Sequence, residues 1–335
     1  MLAIRFWARR SGTHPLGVQP SGSLHLGNYL GAIRQFVALQ DHPGNECYFF
    51  VADLHAMTTI HDGKVLRSLA LQVATDYLAL GLDPDRAVIY RQSDVPQVTE
   101  LAWMLSTVTP MGLLQRGHSY KDKLARGITP THGLFAYPVL MAADVLIVRA
   151  DRVPVGRDQK QHLEMTRDIA EAFNNTYGEQ ILRLPEAVIL PDAAVVPGID
   201  GQKMSKSYGN AIELFAPEGE IRRSVMSIVT DSTPLGTPKA TRGSTLYLLL
   251  KLLTPEDEWP ATRKLFSEGG HGYGEMKSRL LGLILDTFRT ARLRREELLR
   301  DPGFVDSVLR SGGERARAVA GQVMAECRRV CGLAG

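Results

Sequence analysis

Short apolar runs of strand length alternate with longer segments of helical periodicity in the first half of the chain. Residues 46–53 form an apolar run of strand length, and residues 64–80 repeat apolar side chains at helical spacing up to Gly81. Residues 87–91 resemble a second strand, and residues 97–107 a second helix. This alternation predicts right-handed βαβ units in a doubly wound parallel sheet, an α/β fold. Ligands of such sheets bind beyond the carboxyl ends of the strands, where the strand order reverses.

The composition of the sequence changes after Asn210. The segments that become rich in leucine, arginine and glutamate are residues 218–229, 245–253, 273–300 and 304–331. We therefore expect an α/β domain over residues 15–210 and a mainly helical domain over residues 211–335, whose last helix packs back on the first domain. Residues 1–14 are basic and apolar and lack the long apolar core of a secretory signal, so we expect an unimportant N-terminal extension.

The composition limits the class of protein only broadly. A chain of 335 residues with 44% apolar residues can bury a sizeable core in one or two domains. No apolar run reaches membrane-spanning length, so we expect a soluble protein. The three cysteines, Cys47, Cys327 and Cys331, cannot form a disulfide framework, and this suits the reducing cytoplasm. Cys327 and Cys331 lie one helical turn apart, and we interpret them as packing residues rather than half of a metal site.

The charge of the chain leaves the question of nucleic acid open. The net charge of +3 is too small to establish nucleic-acid binding. Residues 277–335 nevertheless contain 12 Lys and Arg against 7 Asp and Glu. This excess fits an ordinary solvated helical face as well as a face that meets RNA.

Two distant stretches carry residue types suited to a nucleoside triphosphate. The first, here called the cradle, is residues 20–28, where His25, Gly27 and Asn28 lead into a predicted helix over residues 29–39. Its glycines let the backbone approach phosphates, and the helix start attracts anions. The second, here called the lysine loop, is residues 203–207, Lys-Met-Ser-Lys-Ser, which follow a glycine-containing turn. Its two lysines provide mobile positive charge, and the ordered pair of motifs predicts a triphosphate site.

A carboxylate stands within an apolar helical stretch of the first domain. Tyr137, Met141 and Asp144 follow the spacing i, i+4 and i+7, so they share one face of a helix. Asp144 lies inside the apolar residues 138–148, and a buried charge is costly unless it is paired. Its partner is either another side chain of the protein or a bound ligand, and the sequence allows both.

The helix predicted over residues 159–173 begins with polar residues that suggest either a helix cap or a metal site. Asp158 can cap this helix, with Gln161 completing a capping box. His162 and Glu164 are two residues apart, a spacing that directs them to different faces of a helix. We therefore reject them as a metal-binding pair and expect no protein-bound structural metal.

The cradle and the lysine loop, with residues 17–22, 137–144 and 153–170, resemble the bacterial tryptophanyl-tRNA synthetases of the class I aminoacyl-tRNA synthetase family. The resemblance implies a Rossmann-like doubly wound parallel sheet with a C-terminal mainly helical domain on the anticodon side. It implies a cytoplasmic homodimer that activates L-tryptophan with ATP, releases pyrophosphate and transfers tryptophan to tRNA(Trp). By the same resemblance Mg²⁺ arrives with ATP, and neither a membrane nor DNA is a partner.

The resemblance assigns roles in ATP binding. His25, Asn28, Lys203 and Lys206 are the implied catalytic residues, and Lys123 matches a further ATP-contacting lysine. The implied ATP-binding residues are Gln19, Pro20, Ser21, Gly27, Asn28, Gly156, Arg157, Asp158, Val196, Lys203, Met204, Ser205, Lys206 and Ser207. His25 and Asn28 would act as neutral hydrogen-bond donors to phosphate, while the lysines follow the departing pyrophosphate.

The resemblance also assigns the amino-acid pocket. The implied tryptophan-binding residues are Asp144, Tyr137, Met141, Gln159, His55, Val153 and Val155. Asp144 would accept a hydrogen bond from the indole N–H, and Tyr137 and Gln159 would hold the α-amino group. Phenylalanine would leave Asp144 unpaired, a penalty of up to about 10⁴-fold.

Two other functions compete with tryptophan activation. The sister enzymes for tyrosine share the fold, but they usually carry a C-terminal RNA-binding module and a different lysine-loop sequence. A degenerate synthetase retained as a binding or regulatory protein should have lost lysines or cradle residues, whereas this chain has Lys203, Lys206, His25, Asn28 and Asp144. We therefore favour the tryptophan enzyme.

Overall fold

The computed structural model describes residues 11–20, 22–117, 131–156, 159–189 and 196–333. Its strands are β1 (Gly12–Val18), β2 (Asn45–Val51), β3 (Val88–Arg91), β4 (Arg152–Val155) and β5 (Glu186–Ile189). Its helices are α1 (Leu26–Asn28, continued by Tyr29–Ile33 and Arg34–Gln40), α2 (Asp53–Ala56), α3 (Gly63–Ala79), α4 (Gln97–Ser106), α5 (Met111–Gln115), α6 (His132–Leu146), α7 (Lys160–Tyr177), α8 (Glu218–Met226), α9 (Thr245–Leu253), α10 (Trp259–Ser267), α11 (Tyr273–Arg300) and α12 (Pro302–Val330).

The strand β2 is the centre of a parallel sheet that is covered on both faces. It pairs with β1 along its whole length and with β3 on its other side. Cys47, Phe49 and Val51 belong to the core that β2 shares with α1 and α3. Tyr48 and Phe50 belong to a second core, shared with α4, α6 and α12. Alternate side chains therefore enter different cores, which explains the continuous apolar run and confirms the predicted doubly wound sheet.

The remaining strands form a two-stranded sheet beside β1. β4 pairs in parallel with β5. The amide of Asp151, just before β4, donates to the carbonyl of Thr13 in β1 (3.1 Å), and the amide of Thr13 donates to the carboxylate of Asp151 (3.0 Å). The spatial order is therefore β3-β2-β1-β4-β5, with the reversal between β1 and β4. A ligand site is expected where these two strands end.

The first strand begins earlier than the predicted domain boundary at residue 15. His14 is buried in β1, and its ring nitrogens contact the carbonyl of Arg152 (3.2 Å) and the side-chain oxygen of Asn45 (3.3 Å). Residues 12–14 of the predicted extension thus belong to the sheet, because they carry the hydrogen bonds that connect β1 with its two neighbours.

Two of the helix bounds differ from prediction by three or four residues. The helix predicted from residue 29 begins at Leu26, and its middle turn, Tyr29–Ile33, is a π-helix. The helix predicted to end at residue 173 continues to Tyr177. Such ends are set by caps and packing partners that apolar periodicity does not report.

The helices α8–α12 follow the sheet, and the last of them returns to it. α12 packs against β3 so closely that a Cβ on Gly312 would lie 1.9 Å from the carbonyl oxygen of Ile89. Only glycine fits at that crossing. Within the described ranges, every helix is too short or too polar to span a lipid bilayer.

A buried ion pair joins the sheet's α3 helix to α11. Asp76 is fully buried on α3, and Arg295 Nε donates to its Oδ1 (2.6 Å). Burial raises the pKa of Asp76, and the hydrogen bond and charge of Arg295 oppose that rise. A buried carboxylate that loses such a partner becomes an uncompensated charge.

Arg295→Ala is therefore expected to lower the free energy of unfolding by about 3 kcal/mol at pH 8, because a single partner of a buried pair is removed. The loss should shrink at pH 5. The folded-state pKa of Asp76 lies above its unfolded value. The protonated carboxyl therefore contributes stability at a pH below the unfolded pKa, and this stability is lost as pH rises through the folded pKa and the buried group becomes charged. Urea unfolding at both pH values measures this. Arg292→Ala, which removes only a hydrogen bond to the carbonyl of Leu214, should show a smaller, pH-independent loss.

Candidate active site

The cradle forms a reciprocal cap at the start of α1. The backbone amide of His25 donates to Asn28 Oδ1 (3.0 Å), and the backbone amide of Asn28 donates to His25 Nδ1 (3.3 Å). This capping box pairs two amides at the start of the helix. Because Nδ1 accepts, the proton of the neutral ring lies on Nε2, and the ring is held as a donor of fixed direction.

Burial keeps His25 uncharged. It lowers the pKa of His25 to about 4, and the nearby charge of Lys206 acts in the same direction. Glu213 opposes this shift weakly. At neutral pH the imidazole is therefore neutral, and its one N–H donor lies on Nε2.

The lysine loop lies against the cradle, although the two are far apart in sequence. The amide of Gly27 donates to Met204 Sδ (3.2 Å), and the Met204 side chain is buried where the two motifs meet. Gly22 has a φ of +106°, and a Cβ there would lie 3.0 Å from Lys206 Nζ. The structure thus brings the two predicted phosphate motifs into contact, and the positive φ of Gly22 favours glycine at this point.

The lysines of the loop differ in their surroundings. Lys206 Nζ lies 3.6 Å from Glu213 Oε1 and is partly shielded. Lys203 is exposed. The hydroxyls of Ser205 and Ser207 are 2.9 Å apart at the surface. The ammonium group of Lys206 therefore stands beside the cradle, whereas Lys203 and Ser207 face solvent.

A residue that the sequence did not indicate holds the lysine loop in place. Asn210 is buried, and its Oδ1 accepts from the amide of Ser205 (2.8 Å). Its amide group donates to the carbonyl of Lys203 (3.1 Å) and to Asp200 Oδ1 (2.8 Å). The amide of Met204 also donates to the carbonyl of Val196 (2.9 Å). A buried amide that spans a loop has no periodic signature, so only the fold reveals it.

A cavity of about 520 Å³ opens where β1 and β4 end. The predicted tryptophan-binding residues all line it: Asp144, Tyr137, Met141, Gln159, His55, Val153 and Val155. Gln19, which follows β1, and Gly156, which follows β4, line it too. Gly31 and Ala32 of α1 form a further wall, so the helix that begins in the cradle also borders the cavity.

Asp144 has protein partners as well as access to the cavity. It is 2% exposed, and Gln92 Nε2 donates to both of its oxygens (2.8 and 2.9 Å). His55 Nε2 lies 3.0 Å from Oδ2. Burial raises the pKa of Asp144, and the hydrogen bonds from His55 and Gln92 oppose the rise. Gln92 was missed in the sequence, although its place directly after β3 is where ligand-site residues of parallel sheets gather.

Tyr137, His162 and Gln159 form a second set of polar contacts on the cavity wall. The hydroxyl of Tyr137 lies 2.6 Å from His162 Nε2, and His162 Nδ1 lies 3.0 Å from Gln159 Oε1. His162 is buried, whereas Glu164 is exposed and pairs with Lys160 (3.2 Å). Among the described residues, no group of three or more His, Cys, Asp or Glu side chains is arranged to hold a metal ion.

Four predicted site residues lie outside the described residues. They are Ser21, Lys123, Arg157 and Asp158. Of the other predicted ATP contacts, Pro20 is buried at the start of the cradle, and the carbonyl of Gly156 accepts from the amide of Gln159 (3.0 Å).

Comparison with known proteins agrees with this geometry. The sequence profile of the family described as tRNA synthetases class I (W and Y) matches residues 10–258. The tryptophan–tRNA ligase of Fusobacterium nucleatum subsp. nucleatum is 50% identical over 321 residues, covering 95% of this chain and 97% of the relative. That of Rhodopirellula baltica is 48% identical over 317 residues, covering 95% and 98%.

A solved structure shares the fold over nearly the whole chain. The tryptophanyl-tRNA synthetase of Campylobacter jejuni complexed with ADP and tryptophan superposes with a TM-score of 0.88 at 45% identity, covering 96% of this chain and 100% of that one. The sheet order, the contact between cradle and lysine loop, and these similarities together place the chain in the class I tRNA synthetase family of the tryptophan and tyrosine enzymes.

Proposed function

We propose that this chain is a tryptophan–tRNA ligase. It activates L-tryptophan with ATP to tryptophanyl-adenylate and pyrophosphate, and then transfers tryptophan to the 3′-terminal adenosine of tRNA(Trp). The observation that carries the proposal is that one helix, α1, begins in the phosphate cradle and borders the cavity that contains Asp144. An amino acid in that cavity and a triphosphate in the cradle would meet at the ends of β1 and β4.

In the first step the tryptophan carboxylate attacks the α-phosphorus of ATP, and pyrophosphate leaves with its electron pair. Charge builds up on the phosphate oxygens, so positioned donors and cations lower the barrier. The Nε2–H of His25 and the side-chain amide of Asn28 donate to phosphate oxygens, and Lys203 and Lys206 stabilise the departing pyrophosphate. Mg²⁺ is expected to enter with the phosphates of ATP.

The residues proposed to bind ATP lie mainly around the cradle and the lysine loop. They are Gln19, Pro20, Ser21, Gly27, Asn28, Gly156, Arg157, Asp158, Val196, Lys203, Met204, Ser205, Lys206 and Ser207, with Lys123 as a further contact. The crowding of Gly22 against Lys206 Nζ supports this assignment, because a cation and a glycine backbone then face the same space.

In the cavity, Asp144 is proposed to accept a hydrogen bond from the indole N–H. Gln92 and His55 fix the direction of its carboxylate. Met141, Val153 and Val155 supply apolar walls, and Tyr137 and Gln159 hold the α-amino group. Phenylalanine has no donor to offer this carboxylate, so the paired acceptor favours tryptophan over phenylalanine.

The activity is tested by amino-acid-dependent ATP–pyrophosphate exchange, run in parallel with tryptophan, tyrosine and phenylalanine. Exchange with tryptophan alone supports the proposal, and charging of tRNA(Trp) then tests the second step. Exchange with tyrosine alone would retain the fold and overturn the pocket assignment. Absence of exchange in folded protein would favour a non-catalytic synthetase-like protein.

A homodimer is also proposed, through an apolar groove beside the cavity. Trp103 on α4 is 72% exposed and Met57 is 54% exposed, and both line a groove of about 430 Å³. His55 and Tyr137 line both this groove and the cavity. Large exposed apolar side chains around one groove favour a protein partner, and a second copy would cover them. The three free cysteines suit the reducing cytoplasm, where we place the enzyme.

Trp103→Glu is expected to convert the dimer to a monomer, because dimer formation would bury the new carboxylate without a partner. Sedimentation velocity measures the change in mass. Leu293→Glu is the matched control, because Leu293 is 59% exposed on α11 and does not line the groove. This variant should remain dimeric. A monomeric wild-type protein, or a dimeric Trp103→Glu variant, would contradict this interface.

A further inference from the structure

We infer that His162 is a positioning residue for the amino end of the substrate, acting through Tyr137 and Gln159. The inference rests on the proposed function, in which these two side chains hold the α-ammonium group of tryptophan.

The three residues belong to two helices that meet at the cavity. Tyr137 lies on α6, Gln159 caps α7, and His162 lies one turn into α7. His162 is 6% exposed, and its ring packs edge-on against that of Tyr137 with centroids 5.7 Å apart. All three line the cavity. The imidazole is therefore the polar connection between the two helices at this wall.

The chemistry of the contacts fixes the direction of each hydrogen bond. The Oε1 atom of Gln159 can only accept, so the proton of His162 lies on Nδ1. In the neutral ring Nε2 then accepts, and the hydroxyl proton of Tyr137 points to it at 2.6 Å. With its proton so directed, the phenol oxygen presents acceptor character to the cavity. An ammonium group has three donors and no acceptor, so this orientation matches it.

The same contacts argue against other roles for His162. Both ring nitrogens are engaged by protein groups, and a metal ligand or general base needs one of them for the metal or the proton. Asp144 has other hydrogen-bond partners, Gln92 and His55. The rings of His55 and Tyr137 meet edge-on, with centroids 6.3 Å apart, so these two sets of residues are neighbours.

This arrangement predicts a loss specific to the amino group. The probe is indole-3-propionate, which lacks the α-amino group of tryptophan. The measured quantity is the dissociation constant of indole-3-propionate divided by that of L-tryptophan. His162→Phe keeps a ring of similar shape and removes both nitrogens. We expect the ratio to fall by about tenfold, because the amino group loses its oriented acceptors. Binding of indole-3-propionate should change little.

Two further variants separate positioning from folding. His162→Gln retains a side-chain amide that can reach Tyr137, and it should recover part of the ratio. His14→Phe removes another buried histidine with both nitrogens engaged, in β1 and outside the cavity lining, and should leave the ratio unchanged.

The outcomes distinguish this inference from the proposed function. Tryptophan binding by the wild-type protein is measured before any variant. If the wild type binds no tryptophan, the proposed function and the inference are both wrong. If the wild type binds tryptophan and His162→Phe weakens both ligands equally, or neither, the inference alone is wrong. A lower ratio in His162→Phe with partial recovery in His162→Gln supports it.

Discussion

Replacing Lys206 with alanine is expected to lower the kcat of tryptophan-dependent ATP–pyrophosphate exchange by about 10²–10³-fold, while the KM for tryptophan changes by less than about threefold. The physical reason is the position of the ammonium group. It stands where the lysine loop meets Gly22 of the cradle, and the cavity for the amino acid lies elsewhere. Its charge is needed as pyrophosphate departs, so the loss falls on the transition state.

Steady-state exchange kinetics over a range of tryptophan concentrations test this split. Lys264→Ala is the matched control, since Lys264 is an exposed lysine on α10 whose ion pair with Glu268 is weak (4.0 Å), and its kinetics should match the wild type. A Lys206→Ala enzyme with unchanged kcat, or with a raised tryptophan KM alone, would contradict the assignment.

The same variant has a second measurable consequence at His25. The charge of Lys206 is, after burial, the next cause of the low pKa of that imidazole. Its removal should raise the pKa of His25 above about 4, while burial keeps it below the value of an exposed histidine. An NMR titration of the imidazole measures the shift and confirms that the two motifs lie together in solution.

The fold was predictable because its main signals are local and repetitive. Strand-length apolar runs and helical periodicity identified β2, α3, β3 and α4 to within a few residues, and their alternation implied the parallel sheet. The π-helical turn at Tyr29–Ile33 and the start of β1 at Gly12 were not predictable in the same way. The start of β1 depends on hydrogen bonds to distant residues, such as those of His14 to Arg152 and Asn45.

The candidate site shows a similar division. Residues within motifs, such as His25, Lys206 and Asp144, stood out because their types and spacing are unusual. Gln92 and Asn210 did not, because a buried amide becomes meaningful only when the fold supplies its partners. The cost of an unpaired Asp144 did show that a partner must exist, but not whether protein or ligand provides it. In the structure Gln92 and His55 are partners, and the carboxylate still reaches the cavity.

The pH dependence of tryptophan binding follows from this burial. Burial raises the pKa of Asp144 above that of an exposed aspartate, against the opposing bonds from His55 and Gln92. The carboxylate is the charged acceptor for the indole N–H, so affinity should fall as pH decreases through the raised pKa. The fall should begin at a higher pH than an exposed aspartate would give. Asp144→Asn, which cannot titrate, should show no such fall.

Removing the carboxylate altogether should change which amino acid the enzyme accepts. Asp144→Ala is expected to raise the KM for tryptophan by about 10–100-fold, because a hydrogen bond to a charged acceptor is lost. The preference for tryptophan over phenylalanine, as a ratio of kcat/KM values, should fall by about 10²–10⁴-fold, since phenylalanine no longer leaves a buried charge unpaired. Exchange assays with both amino acids measure the ratio.

The control for that change is a buried aspartate that does not line the cavity. Asp76→Asn removes the charge paired with Arg295, and it should alter stability while leaving the preference for tryptophan intact. A folded Asp144→Ala enzyme that still prefers tryptophan by the wild-type ratio would show that the selectivity arises elsewhere. The apolar walls at Met141, Val153 and Val155 would then be the next source to test, because shape is the remaining means by which this cavity can distinguish an indole from a phenyl ring.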